Sequence, residues 1–250
     1  MNPGASQCAL RHTDPLNDAE VACRDCGLDP MCQVLDYALE ESGVPEGILL
    51  RRQQVSTGEA LFSTGQAFDA IYAVKSGSFK ALVPESRPEE RVVGFYFAGE
   101  LIGAESMAEQ GYTSTVRALE PAQVCVLHLD RLHQAPRQPE LVQQALIEML
   151  SREVAANKQL MTALVRQNAE QRVAAFLLSL SERLSRRGFD ADLFSLRMSR
   201  GDMGSYLGLA RETVSRLLTR FQQQGLIRLR HKQMQLLDAR GLGQIASDIR

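Results

Sequence analysis

Gly204-Ser205-Tyr206-Leu207-Gly208-Leu209-Ala210-Arg211-Glu212-Thr213-Val214-Ser215-Arg216-Leu217-Leu218-Thr219-Arg220-Phe221 reads as two short helices joined at a glycine turn. In the second helix Val214, Leu217, Leu218 and Phe221 recur at i, i+3, i+4, i+7 and form one apolar face. Arg211, Glu212, Ser215, Arg216 and Thr219 share the other face. A helix buried on one side, with long hydrogen-bonding side chains on the other, suits the major groove of double-stranded DNA. Arginine can bond guanine through two N–H groups, and glutamate can accept from the cytosine amino group.

The flanks support that reading. Gln171 to Arg187 has an amphipathic helical pattern and stops at Gly188, and Leu193 to Met198 is strand-like. After the helix pair, Gly225 to Leu237 alternates apolar and polar residues about His231-Lys232, which predicts a basic-tipped hairpin. Helix, strand, helix-turn-helix and hairpin together describe a winged helix-turn-helix. The chain's formal net charge is only −2, yet Leu196 to Lys232 holds eight Lys/Arg against Asp202 and Glu212, a local charge of +6 against −8 for the rest. A basic block in an acidic chain is the footprint of a phosphate contact.

At 250 residues and 44% hydrophobic content the chain is large enough for two modest cores. No apolar run is long enough for a membrane span, and the N-terminus lacks a secretory core, so a cytoplasmic protein with no membrane partner is expected. In that compartment clustered cysteines are more often metal-binding or redox-active than structural. Cys23, Cys26 and Cys32 form C-x2-C-x5-C, and Cys8 or Cys125 could complete a four-thiolate site for zinc or an iron–sulfur cluster; spacing does not choose between them.

From about Ile48 to Leu132, short apolar runs cut by glycines predict an antiparallel sandwich or barrel-like roll, with Pro84 to Glu90 as a polar hairpin tip. A long helix is expected from Pro139 to Arg166. Within it Ile147, Leu150, Val154, Asn157, Met161 and Leu164 step by 3, 4, 3, 4, 3, the seam of a helix that pairs with its own copy. The polar Asn157 weakens such a pair while fixing its register, so the homodimer is adjustable.

Several stretches together resemble the CRP/FNR superfamily of bacterial regulators, and its oxygen-sensing branch most. They are Cys23 to Cys32, Phe97-Ala-Gly-Glu-Leu-Ile-Gly103, Asn168 to Phe176, Arg187-Gly-Phe189, Met198 to Leu209 and Glu212 to Arg216. The resemblance implies an α+β fold. Its parts are a cysteine-rich segment (1–35), an antiparallel β-roll of the cyclic-nucleotide-binding, double-stranded jelly-roll type (36–136), a dimerisation helix (137–167) and a winged helix-turn-helix (168–250). It also implies a transcription regulator rather than an enzyme, with a [4Fe-4S] cluster on Cys23, Cys26, Cys32 and Cys125 that oxygen degrades, so that the dimer weakens. The DNA contacts it implies are Glu212, Ser215 and Arg216 on an inverted repeat, and Arg211 resembles the cyclic-nucleotide activators instead. The hairpin tip resembles the surface that activators offer to RNA polymerase. The Arg-Ser pair that grips a cyclic nucleotide is missing from Tyr112 to Arg117, so no cyclic nucleotide is expected. Two departures carry physical expectations. Ala210 leaves the recognition helix without a side-chain cap, at about 1 kcal/mol, and Gly27 would leave the edge of a cluster less covered. Other readings stay open: a regulator with a zinc or thiol–disulfide site, or an iron–sulfur electron carrier.

Overall fold

The computed structural model describes residues 20–34, 50–85, 90–129, 139–164 and 168–247, with backbone alone at 50, 51, 139 and 156–164. Among the described residues eight strands form the roll: β1 (Leu50–Val55), β2 (Ala60–Phe62), β3 (Ala70–Ser76), β4 (Ser78–Pro84), β5 (Glu90–Phe97), β6 (Leu101–Ile102), β7 (Thr115–Ala118) and β8 (Ala122–His128). They pair antiparallel in two four-stranded sheets, β1-β8-β3-β6 and β2-β7-β4-β5. The apolar runs predicted as strands are strands, because alternate residues such as Phe79, Ala81, Val124 and Val126 point into one core. The β4–β5 hairpin is paired from Ser78↔Phe97 to Pro84↔Glu90; tip residues 86–89 lie outside the described ones.

Helix α1 (Pro139–Leu164) follows, then α2 (Ala169–Ser185), started by a capping box in which Asn168 Oδ1 accepts from Gln171 N at 3.0 Å. Strand β9 (Leu193–Ser195), α3 (Arg200–Leu207), α4 (Arg211–Gln223), β10 (Ile227–Arg230), β11 (Gln233–Leu236) and α5 (Ala239–Ser247) complete the winged helix, with sheet order β10-β11-β9.

The roll and the winged helix are not merely linked. Leu82, Val92, Phe95 and Phe97 of the β4–β5 hairpin belong to the same buried cluster as Val173, Phe176, Met203, Val214 and Phe221. Phe95, Phe176 and Tyr206 meet ring to ring at 5.2 to 5.9 Å. Polar pairs frame this seam. Lys80 Nζ bonds Asp202 at 2.6 Å, the Ser205 hydroxyl accepts from Val92 N at 2.9 Å, and Arg197 pairs with Glu120 at 2.7 Å.

Candidate nucleic-acid interface and cysteine patch

Helix α3 begins at Ser199, which exchanges hydrogen bonds with Asp202, and ends at Gly208 in the left-handed region (φ 65°). A Cβ on Gly204 would fall 2.5 Å from Leu209 O, so this crossing admits no side chain. That contact sets how α4 leaves the turn. On α4, Val214, Leu218 and Phe221 are buried, while Arg211, Glu212, Arg216 and Thr219 are exposed and Ser215 is half-buried. Arg211, Glu212, Ser215 and Arg216 thus share the outer side of one helix. Ser215 Oγ donates to Arg211 O and Arg216 reaches Thr213 Oγ1 at 3.4 Å, so the side chains are partly ordered before any ligand arrives. Ala210 provides no side-chain cap, as expected, and the first-turn N–H groups face a positive helix end that suits a phosphate.

The wing turns at His231, whose φ is 54°, and carries Arg228, Arg230, His231 and Lys232 exposed. Two members of the basic block are paired within the fold. Arg197 is turned inward onto Glu120, and Arg220 pairs with Glu170 at 3.2 Å.

Cys26, Cys32 and Cys125 gather against the roll and α1. Residues 20–34 lie against the roll: Val21 N donates to Lys75 O at 3.0 Å, Lys75 Nζ returns a bond to Val21 O, and Gly27 N donates to Gly99 O at 2.8 Å. Cys26 is buried, Cys32 and Cys125 are half-buried, and all three pack in one cluster with Leu28, Met31, Leu101, and Ala145 and Met149 of α1. Burial pushes the Cys26 thiol up, opposed by the Leu28 amide, Arg187 and Lys75; burial and then Cys26 raise Cys125. Cys26, Cys32 and Cys125 take part in no disulfide, whereas Cys23 is disulfide-bonded. Cys8 lies outside the described residues. Among the described residues no three His, Cys, Asp or Glu side chains form a group that could hold a metal ion. The donor chemistry suits a thiolate-bound metal centre, but the arrangement is not a ready ligand cage.

Gly27 requires a correction. It is buried, and a Cβ there would come 2.8 Å from the Leu101 side chain, so the glycine permits close docking on the roll and is not a gap in a cover. On the seam, Ile147 is 58% and Val154 67% exposed, while Leu150 is half-buried; the side chains of Asn157, Met161 and Leu164 lie outside the described ones. The sequence reading missed Arg183. Its Nε and one terminal nitrogen bond the Glu100 carboxylate at 2.7 and 2.6 Å, the latter nitrogen also reaches Phe95 O, and the guanidinium lies 4.9 Å from the Phe97 ring centre. Burial is the largest single influence and opposes the charge, but Glu100, with Tyr206 and Glu153, together outweigh it and raise the guanidinium pKa.

Residues 52–138 match the family described as cyclic nucleotide-binding domain, and residues 171–245 the Crp-like helix-turn-helix domain. The chain is 39% identical to the transcriptional activator protein Anr of Pseudomonas protegens, over 86% of this chain and 88% of that one. The chain belongs to the CRP/FNR family of transcription regulators. A second CRP/FNR relative, the fumarate and nitrate reduction regulatory protein of Escherichia coli, is 32% identical over 92% of each chain. The solved structure of FixK2 from Bradyrhizobium japonicum superposes with a TM-score of 0.70 and 25% identity, over 81% of this chain and all of that one. This CRP/FNR chain is therefore a regulator with a helix-turn-helix for DNA and not an enzyme, with the α+β architecture expected. No described helix is long and apolar enough to cross a membrane.

Proposed function

We propose that this regulator is an activator that responds to oxygen through its cysteine segment, with Cys26, Cys32, Cys125 and, once its disulfide is reduced, Cys23 as the ligands of a [4Fe-4S] cluster. The observation that supports the reading most is the packing of Cys26, Cys32 and Cys125 in one cluster with Ala145 and Met149 of α1. Two distant parts of the sequence supply thiols to a patch on the inner side of the helix whose outer side carries Ile147 and Val154. A change in how residues 20–34 sit would be felt where a second copy pairs. A bound cluster would supply the oxygen sensitivity; the chain's own residues supply the docking surface for the loop. In the dimer, two copies of α4 enter successive major grooves of an inverted repeat about one DNA turn apart. Arg211, Glu212, Ser215 and Arg216 face base edges, and the wing's Arg228, Arg230 and Lys232 meet phosphates. The tip of the hairpin, Pro84 to Glu90, is the surface offered to RNA polymerase. On this reading the roll takes no cyclic nucleotide, because Tyr112 to Arg117 lacks the Arg-Ser pair that would grip its phosphate.

The test is iron and sulfide content with an anaerobic spectrum, followed by sedimentation before and after air. A brown protein that bleaches and dissociates is expected; a colourless, zinc-loaded protein overturns the cluster. One observation favours a second reading. The disulfide at Cys23 makes a thiol–disulfide switch the alternative, and it predicts reductant-dependent DNA binding without iron.

A further inference from the structure

We infer that the cysteine loop also acts on the DNA-binding unit directly, through a latch made by Arg187 at the end of α2, and not only through the dimer helix. This rests on residues 20–34 being the sensing segment. Arg187 donates to Asp25 O, between Cys23 and Cys26, at 3.0 Å. Its aliphatic stem lies across Gly99, where a Cβ would come 2.7 Å from Arg187 Cδ and 3.1 Å from Asp25 O. Gly99 has φ +89°, which disfavours any other residue, so the turn is open to the loop and the arginine at once. The same turn accepts Gly27 N at Gly99 O, and its next residue, Glu100, holds Arg183. Arg183 lies in the last turn of the helix and Arg187 just beyond its end, and both reach the Gly99-Glu100 turn. One grips the roll, and the other grips the cysteine loop laid over the same turn. Phe189, two residues on, packs into the cysteine cluster itself.

The latch matters because of what α2 carries. Arg172 at its start donates to Leu207 O at 2.7 Å, fixing α3, and α2 packs in one core with α4. Two recognition helices must stand about one DNA turn apart, so the angle of each unit to α1 must be narrow. When the loop leaves Gly99, Arg187 loses its acceptor and Phe189 its packing. The core shared with the β4–β5 hairpin still holds the unit to the roll, so the release widens only small tilts about that core, and apparent affinity falls by the fraction still competent.

The test uses the full chain, prepared without oxygen, and an inverted-repeat duplex selected by the unaltered protein from random sequence. Arg187→Met keeps the stem over Gly99 and removes the donor. Its dimer fraction by sedimentation should be unchanged, while Kd for the duplex rises about tenfold, the result of a competent fraction near a tenth. Arg187→Lys can still donate to Asp25 O and should restore binding to within about twofold. On the unaltered protein, hydrogen exchange gives a measurement that needs no variant: on exposure to air, Gly27 and residues 186–189 should lose protection together. Unchanged duplex binding by Arg187→Met, dissociation of its dimer in step with lost binding, failure of lysine to restore it, or protection lost at Gly27 alone would each overturn the latch. Unaltered protein that binds alike with and without air would instead refute the oxygen reading. The comparison of variants stands apart from that result, because it is made within one preparation.

Discussion

Replacing Arg183 with methionine removes one half of a buried pair whose side chains are 20% and 12% exposed. Glu100 would keep its bond from Phe97 N at 3.0 Å but lose both guanidinium donors. Phe95 O would lose a donor and the Phe97 ring its cation. Breaking one side of such a pair costs about 3–5 kcal/mol, mostly because a carboxylate stays buried without a partner. For a chain of this size that is a fall in Tm of roughly 6–20 °C. Removing the charge on both sides, with Arg183→Met and Glu100→Gln together, should recover much of the loss, since a buried pair often contributes little beyond an uncharged substitute. Calorimetry on the two single variants and the double variant closes a mutant cycle with a coupling of about 1 kcal/mol or more. Additive effects, or a cost below about 1 kcal/mol for Arg183→Met, would mean that solvent reaches the pair and that it does not hold the roll to α2.

Four further outcomes follow from named contacts. Gly204→Ala places a methyl group on Leu209 O and should cost about 1–3 kcal/mol in thermal stability, with lower duplex affinity, because the turn between α3 and α4 must open. Arg216→Ala should lose about 1–3 kcal/mol of discrimination at one base pair, whereas Lys232→Ala should weaken all duplexes alike and flatten the salt slope by about one unit; binding measured across mismatched sites and salt separates them. Ile147→Glu with Val154→Glu alters two exposed positions, so the protomer's melting should hold while sedimentation shows loss of the dimer. Burial alone would push the Asp202 carboxyl up, but bonds from Lys80 and Ser199 outweigh it and leave its pKa below the usual value. Its folded pKa is depressed, so its stabilisation is present above the ordinary aspartate range and is lost as pH falls through the folded value. Denaturation midpoints on acidification should therefore differ less between Asp202→Asn and the unaltered chain the lower the pH.

The elements that carry a period were legible. The apolar face of α4, the alternation in the wing and the short roll strands each follow from burial on one side, and burial on one side leaves a repeat in the sequence. Pairs between elements leave none. Arg183 and Glu100 each look like solvated charges in their own stretch, as do Lys80 and Asp202, and only the folded chain brings them together. The eight basic residues near the recognition helix were overcounted for the same reason, since Arg197 and Arg220 face carboxylates from elsewhere. Gly27 was misread because a glycine that exposes a neighbour and a glycine that admits one look alike until Leu101 is seen against it. That the roll and winged helix share a core was not legible, because Leu82 and Val92 alternate as any strand does and nothing local says that their inward side faces Phe176 and Phe221.

That shared core bears on where a signal can act. Sliding the winged helix off the hairpin would expose Phe95 and Val92 and break Lys80–Asp202 and Arg183–Glu100 together, which is many kcal/mol of burial and pairing. The outer face of α1 is different. A second copy seated there would cover Ile147 and Val154, each more than half exposed, for roughly 1–2 kcal/mol per side chain and 4–8 kcal/mol for the pair of protomers. Association costs about 4–15 kcal/mol before any contact is counted. The two terms are of similar size, so a bias of about 1.4 kcal/mol, tenfold in an equilibrium constant, moves the dimer population visibly. Met149, fully buried against the cysteine patch, lies on the helix two residues from Ile147 and five from Val154. The proposed dimer face and the segment proposed to sense oxygen thus meet within about two turns of one helix, while the core shared by roll and winged helix would carry whatever tilt the first one sets.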